Sequence, residues 1–203
     1  MKNVLLSVAL ILASFQLSAQ QENFFLVIGA DTFYVDHGSL IPYQSGKCEL
    51  EIQFFEKQTK FYDDRFFSFE YDKAYSVAKT KVEEGVEQVM IMTADGNGFL
   101  IQSYDGLDPS MLTNFMIGEL TKESIKYGYE EVRTQATRNL ASGERLNGMV
   151  SKLAYNNDEE IYSVYGYGKK DQGVLIVTLQ NNLSPDLGEA LIESMWKSLK
   201  LKF

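Results

Sequence analysis

The chain has 203 residues, with 28 acidic against 19 basic side chains, a formal charge of −9, one cysteine and one histidine. An acidic surface repels phosphate backbones and anionic lipid, which argues against nucleic acid and membrane surfaces as partners. A lone cysteine excludes an intrachain disulfide, and a lone histidine excludes HExxH zinc chemistry and any multi-histidine metal site.

The first elements concern export. Lys2 precedes an apolar run from Val4 to Phe15, then Leu17-Ser18-Ala19 and the polar Gln20-Gln21-Glu22. That order is the layout of a cleaved secretory signal over residues 1–19. The apolar run is shorter than the roughly 20 residues a membrane span needs. A lipoprotein needs a cysteine at the cleavage point, and Cys48 lies far downstream. The expected product starts near Gln20, is soluble and periplasmic or extracellular, and has no stable membrane insertion after signal cleavage.

Residues 20–59 read as an N-terminal extension packed on the main domain. Phe24 to Ile28 and Thr32 to Val35 suit short strands around Gly29-Ala30-Asp31. Cys48 to Phe55 suits a strand with one wet face, because Cys48, Leu50 and Ile52 alternate with glutamates. The pattern predicts Cys48 as a small buried side chain; a reactive thiol or an intermolecular crosslink is the alternative.

From residue 60 onward the elements are more regular. Tyr62-Asp63-Asp64 reads as a turn and Arg65 to Tyr71 as a strand. Val86 to Thr93 and Phe99 to Tyr104 flank Ala94-Asp95-Gly96-Asn97-Gly98, a hairpin signal. Asp108-Pro109 starts a helix, since Asp caps free N–H groups and Pro suits the first helical position. Leu112, Phe115, Met116, Leu120 and Ile125 give its apolar stripe, Gly118 allows close packing on a sheet, and Gly128 is the stop.

Three strands follow, Tyr129 to Thr137, Glu144 to Tyr155 and Ile161 to Tyr167, and Val174 to Gln180 completes a meander. The last is apolar on both faces, so it needs cover on both sides. Ser184-Pro185-Asp186 opens a second helix by the same cap-then-proline logic, with Leu187, Leu191, Met195 and Leu199 as its stripe, widened by Ile192 and Trp196. Alternation in Ser198 to Phe203 suits a brief terminal strand. The sum is an α+β fold: an antiparallel β-sheet covered by helices in an α/β/α sandwich.

The run Phe66-Phe67-Ser68-Phe69-Glu70-Tyr71 resembles the opening F-x-F-x-Y-P strand of the PsbP-like proteins, whose α/β/α sandwich is shared with the Ran-binding Mog proteins. Phe99 to Tyr104, the Asp108 helix, Leu146-Asn147-Gly148 (similar to the family's "ING") and the helix running into Ser198-Leu199-Lys200-Leu201 extend the likeness over residues 60–203. Asp72 stands where the family has proline. The resemblance implies a non-enzymatic assembly, binding or accessory factor, with no catalytic residues and no cofactor to carry over.

The residues agree with that implication. There is no CxxC, Walker A, Rossmann glycine fingerprint or G-x-S-x-G, so His37, in a turn-like Val35-Asp36-His37-Gly38, has no accompanying nucleophile motif. The doublets Asp63-Asp64, Glu83-Glu84 and Glu130-Glu131 are solvated or point to opposite strand faces, not a glycosidase pair. Asp95-Gly96-Asn97-Gly98 and Asn156 to Glu160 lack calcium-ligand spacing. The candidate interaction surface is tyrosine-rich: Tyr155, Tyr162, Tyr165 and Tyr167. The competing assignment puts them between sheet and helices. The expected function is an exported accessory domain that binds another envelope or secreted protein. The alternative is a small-molecule or lipid binder with a pocket between sheet and helices.

Overall fold

The structure is a computed structural model that describes residues 24–35, 38, 40–53, 55 and 57–203. The proposed leader at 1–19 and His37 lie outside the described residues. The chain divides into two compact units, Met1–Lys57 and Gln58–Phe203.

The first unit contains two antiparallel hairpins. β1 (Phe24–Ile28) pairs with β2 (Asp31–Val35), and β3 (Leu40–Ser45) pairs with β4 (Cys48–Gln53). The expectation for Cys48 is corrected: its side chain is exposed. Five of the six β4 residues are exposed and Ile52 alone is half-buried, because among the described residues no layer covers the alternating face of this two-stranded hairpin. β3 lacked a sequence signal, its apolar residues being interrupted by Pro42.

The second unit carries the main core. Its short strands are β5 (Thr59–Asp63), β6 (Phe67–Asp72) and β7 (Ala78–Glu83), followed by the hairpin β8 (Val86–Met92) and β9 (Gly98–Asp105). A 3-10 turn, Pro109–Leu112, leads into α1 (Thr113–Tyr127). The long strands β10 (Glu130–Asn139), β11 (Arg145–Tyr155), β12 (Asp158–Lys169) and β13 (Gln172–Asn181) form the meander, and α2 (Pro185–Ser198) and β14 (Lys200–Leu201) close the chain. The main sheet has seven antiparallel strands in the order β10-β11-β12-β13-β9-β8-β7. A second sheet, β14-β6-β5, joins the ends of this unit by pairing Leu201 with Phe67. Tyr62-Asp63-Asp64 is therefore mostly strand rather than turn; Asp64 alone makes the bend, accepting from the Phe66 and Phe67 N–H groups.

The predicted two-sided burial of β13 is present. Val174 and Ile176 face α2, while Leu175 and Val177 face α1, all at 0–1% exposure. The α2 side gathers Phe67, Phe69, Ile91, Phe99, Ile101, Leu146, Met195 and Trp196; the α1 side is smaller, with Val86, Ile117 and Val164. The fold is α+β, with α1 on one face of the antiparallel sheet and α2 with the small sheet on the other.

Most of each predicted stripe packs on the core: Leu112, Met116 and Leu120 for α1, and Leu191, Met195 and Leu199 with Ile192 and Trp196 for α2. On α1, Ile117 and Thr121 are buried and Phe115 is 66% exposed on the opposite side. Thr121 can be buried because its hydroxyl donates to the Ile117 carbonyl at 3.0 Å. On α2, Leu187 is exposed and the stripe runs Leu191, Ile192, Met195, Trp196. The Asp108 cap forms, with Oδ1 accepting from the Ser110 N–H at 2.9 Å. Ser184 does not cap; its hydroxyl donates to Asp95 at 2.6 Å. That bond joins the β8–β9 hairpin to the start of α2. Buried Asn97 reinforces the joint, donating to Ser184 O and accepting from the Asn181 N–H. The turn thus serves as a clamp on α2 as well as a hairpin.

Two glycines read alike in sequence but differ in surroundings. A Cβ at Gly148 would lie 2.2 Å from the Val164 carbonyl oxygen, so β11 and β12 can meet only at a glycine there. A Cβ at Gly118 would meet nothing nearer than Arg133 Nη1 at 4.0 Å, so this glycine does not mediate close packing as expected. Gly118→Ala is expected to stabilise the domain by about 1 kcal/mol. Gly148→Ala is expected to destabilise it by roughly 1–3 kcal/mol. Urea unfolding of the two variants measures both.

Candidate functional site

The features that stop α1 also build an aromatic surface. Helix hydrogen bonding ends at Gly128, which adopts φ 119°, a conformation that disfavours any side chain. The Gly128 N–H donates to Ser124 O and Ile125 O, and the Tyr129 N–H donates to Ser124 O. This reversal places Tyr127 and Tyr129 beside each other. Tyr155, the last residue of β11, completes the group. Its ring centroid lies 5.3 Å from that of Tyr127 and 5.4 Å from that of Tyr129, and those two are 6.2 Å apart. The Tyr155 ring lies 3.5 Å from where a Gly128 Cβ would stand, an ordinary contact, so it is the positive φ and not space that calls for glycine here.

Tyr127 is 71% exposed and Tyr129 and Tyr155 are half-buried. The Tyr129 phenol is held above its ordinary value by desolvation, then by the Glu160 and Asp158 carboxylates. The surface is therefore aromatic, with hydroxyl groups at its edge and an acidic rim. Such rings offer rigid contact area with little rotamer entropy to lose.

The four sequence-predicted tyrosines separate, which corrects their assignment to one surface. Only Tyr155 joins the exposed cluster. Tyr165 and Tyr167 face α2 and the C-terminus: Tyr165 meets the Trp196 ring edge-on at 5.4 Å, and Tyr167 meets Phe203 at 5.8 Å. Tyr162 faces α1, where burial and then Glu160 push its phenol up to about 12. Strand alternation alone separates Tyr162 from the other two. Tyr127 and Tyr129 were overlooked in the sequence because Gly128 drew attention only as a stop signal. A tyrosine on each side of a helix-stopping glycine is the pattern that marks them.

A polar seam fixes α1, and with it the cluster, to the sheet. Ser124 and Tyr162 both donate to Glu160 Oε2, at 2.8 and 3.2 Å. One turn earlier, Glu131 Oε1 accepts from Ser151 at 2.6 Å, from Arg133 at 2.7 and 3.0 Å, and from Thr121 at 3.3 Å. Burial raises the Glu131 carboxyl, but the bonds from Ser151 and Arg133 outweigh it and hold it below its ordinary value.

A second feature lies between the sheet and α2. It is a cavity of about 150 Å³ lined by Ser163, Thr178, Gln180, Glu189 and the Arg138–Glu193 pair, with Trp196 at its wall. Arg138 donates to Glu193 at 2.7 Å and stacks over the Trp196 ring at 4.5 Å. Tyr165 and Ile192 also line it, but hydroxyl, amide and charged groups make up most of the lining. Elsewhere the acidic doublets have structural duties: Asp63 pairs with Lys202 at 2.5 Å, and Glu131 and Glu130 point to opposite faces of β10. No group of three or more His, Cys, Asp or Glu that could hold a metal occurs among the described residues. Also among the described residues, no helix is long and apolar enough to cross a membrane.

No family model matches the chain. No curated protein matches it either. Among solved structures, it is similar to the solution structure of cyanobacterial PsbP from Synechocystis. That likeness covers 71% of this chain and 93% of that one, at 9% identity and a TM-score of 0.49. It is also similar to a crystal structure from Bacteroides thetaiotaomicron, over 72% of this chain and 50% of that one, at 12% identity and a TM-score of 0.36. At such identities the likeness concerns fold and supplies no role.

Glu131 gives a pH test of the seam. A carboxyl held low in the folded state adds stability above its unfolded value, and that stability is lost as pH falls through the folded value. Glu131→Gln is expected to cost about 2 kcal/mol at pH 7, as hydrogen bonds to a charged group are lost. The gap to the parent should begin to narrow below about pH 4, where the unfolded carboxyl takes up its proton, and close as pH falls through the lower folded value. Denaturant titrations at pH 7 and pH 3 check both the size and the direction.

Proposed function

We propose that the chain is an exported, non-enzymatic accessory domain that acts by binding another envelope or secreted protein. The exposed Tyr127–Tyr129–Tyr155 cluster is the observation that carries this reading. Its acidic rim, from Asp158 and Glu160, suits a partner segment that presents Arg or Lys, with cation–π contact to the rings. Export rests on the basic and apolar pattern from Lys2 to Ala19. The accessory role follows the PsbP-like resemblance and the scarcity of catalytic motifs in the sequence.

A small-molecule binder is the second reading, and the cavity beside Arg138 and Trp196 favours it. The lining suits a small polar molecule better than a lipid. A ligand mass retained in native mass spectrometry, and lost on Ser163→Val with Thr178→Val, would support it.

The main reading is tested by crosslinking the tagged mature protein in its native envelope and identifying what it captures. The parent protein is expected to capture one reproducible partner. Tyr127→Ala with Tyr129→Ala should reduce capture about tenfold or more, as loss of an aromatic hot spot does. The variant must keep the parent's circular dichroism and melting temperature. Equal capture by the variant would remove the tyrosine surface from the proposal, and no partner above background would remove protein binding itself.

A further inference from the structure

The two edges of the seven-stranded sheet are built differently. β7 is short, carries Lys79 and Lys81, and shifts register between Lys81 and Glu83. Lysines and a bulge are the usual devices that keep an edge from pairing. β10 has none of them. It runs ten residues in unbroken register with β11, from Glu130 opposite Ala154 to Asn139 opposite Arg145, without proline, lysine or bulge. Among the described residues β10 pairs with β11 only, and Val132 is 63% exposed on it.

We propose that β10 pairs edge to edge with β10 of a second copy of this chain, forming a two-fold dimer with one continuous sheet. Two copies of one edge related by a two-fold axis must run antiparallel. Outward-facing backbone groups occur on alternate residues, so only registers that oppose like-facing residues are allowed. Centring on Arg133 opposes two arginines, and centring on Gln135 sets Val132 against Arg138. Centring on Thr134 sets Glu130 against the partner's Arg138, Val132 against the partner's Ala136, and Thr134 against its own copy. On the other face the same register opposes Glu131 to Thr137 and Arg133 to Gln135. This register pairs opposite charges, joins apolar residues and opposes no like charges. Arg138 can serve two carboxylates: it bonds Glu193, is 31% exposed, and its guanidinium has five N–H donors.

The register can be read by cysteine placement in the full mature chain carrying Cys48→Ser. Across the dyad the two Thr134 Cα atoms stand about 4.5–5.5 Å apart, within disulfide range. Thr134→Cys is therefore expected to give a disulfide dimer under mild oxidation. Val132→Cys alone should not, because its two copies lie roughly 14 Å apart. Val132→Cys with Ala136→Cys should crosslink again. The Cys48→Ser chain should sediment as a dimer at about 100 µM, the range expected for a small interface. Thr134→Lys, which opposes two ammonium groups at the dyad, should return it to monomer with unchanged circular dichroism. Sedimentation of the Cys48→Ser chain as a monomer at that concentration, or crosslinking of Thr134→Cys no greater than that of Val132→Cys, would overturn the proposal.

Discussion

Burial of β13 on both faces is the constraint from which the rest of the second unit follows. Val174 and Ile176 must leave water on one side, and Leu175 and Val177 on the other. A strand with two apolar faces can exist only inside a sheet that is covered twice. α2 and the small sheet cover one face and α1 the other. The heavier cover is on the α2 side, where Trp196 meets Phe99 and Tyr165 edge-on. With no disulfide available within the chain, this layered burial supplies most of the cohesion that a cross-link would give a smaller domain.

The α1 side uses a different balance. Its apolar contact is smaller, and a polar seam takes part of the load. Thr121 and Ser151 are fully buried, yet each donates to Glu131, so burial does not leave their hydroxyls unsatisfied. Such a seam has directional partners, so it fixes the rotation of α1 more tightly than apolar contact alone. The rotation matters because Tyr127 is the last residue of the helix. Turning α1 by one residue would carry Tyr127 away from Tyr155 and disperse the cluster. The position of the tyrosine cluster thus depends on Glu131 and Glu160, which anchor α1 to the sheet.

The legible parts of the fold were those with strong local chemistry. The β8–β9 hairpin, the Asp108 cap, the Gly128 stop and the two-sided β13 follow from residues whose preferences are settled within a few neighbours. Less legible were features set by distant partners. Phe115 and Leu187 fit an apolar stripe by spacing, yet both side chains are exposed while their stripe neighbours Met116 and Leu191 pack on the core. Ser184 looked like a cap, yet its hydroxyl goes to Asp95, 89 residues earlier. Cys48 alternates correctly for burial, but among the described residues no layer covers the alternating face of its hairpin. The tyrosines show the same division. Tyr162, Tyr165 and Tyr167 read as one surface from their shared strand although period-two alternation sets Tyr162 on the opposite face, and the exposed cluster needed the pairing of a helix end with a strand end.

A sheet covered on both faces has little free face to offer a partner. Its remaining polar backbone lies along its edges, and its remaining aromatic surface lies where helices stop. This chain treats those places unequally. β7 combines lysines with a register shift, so its backbone groups are poor templates for another strand. β10 keeps a regular ladder and an exposed valine. Next to it, the α1 terminus displays three tyrosines within an acidic rim. In the proposed readings recognition falls to one edge and one helix end, while the core serves to hold both in place.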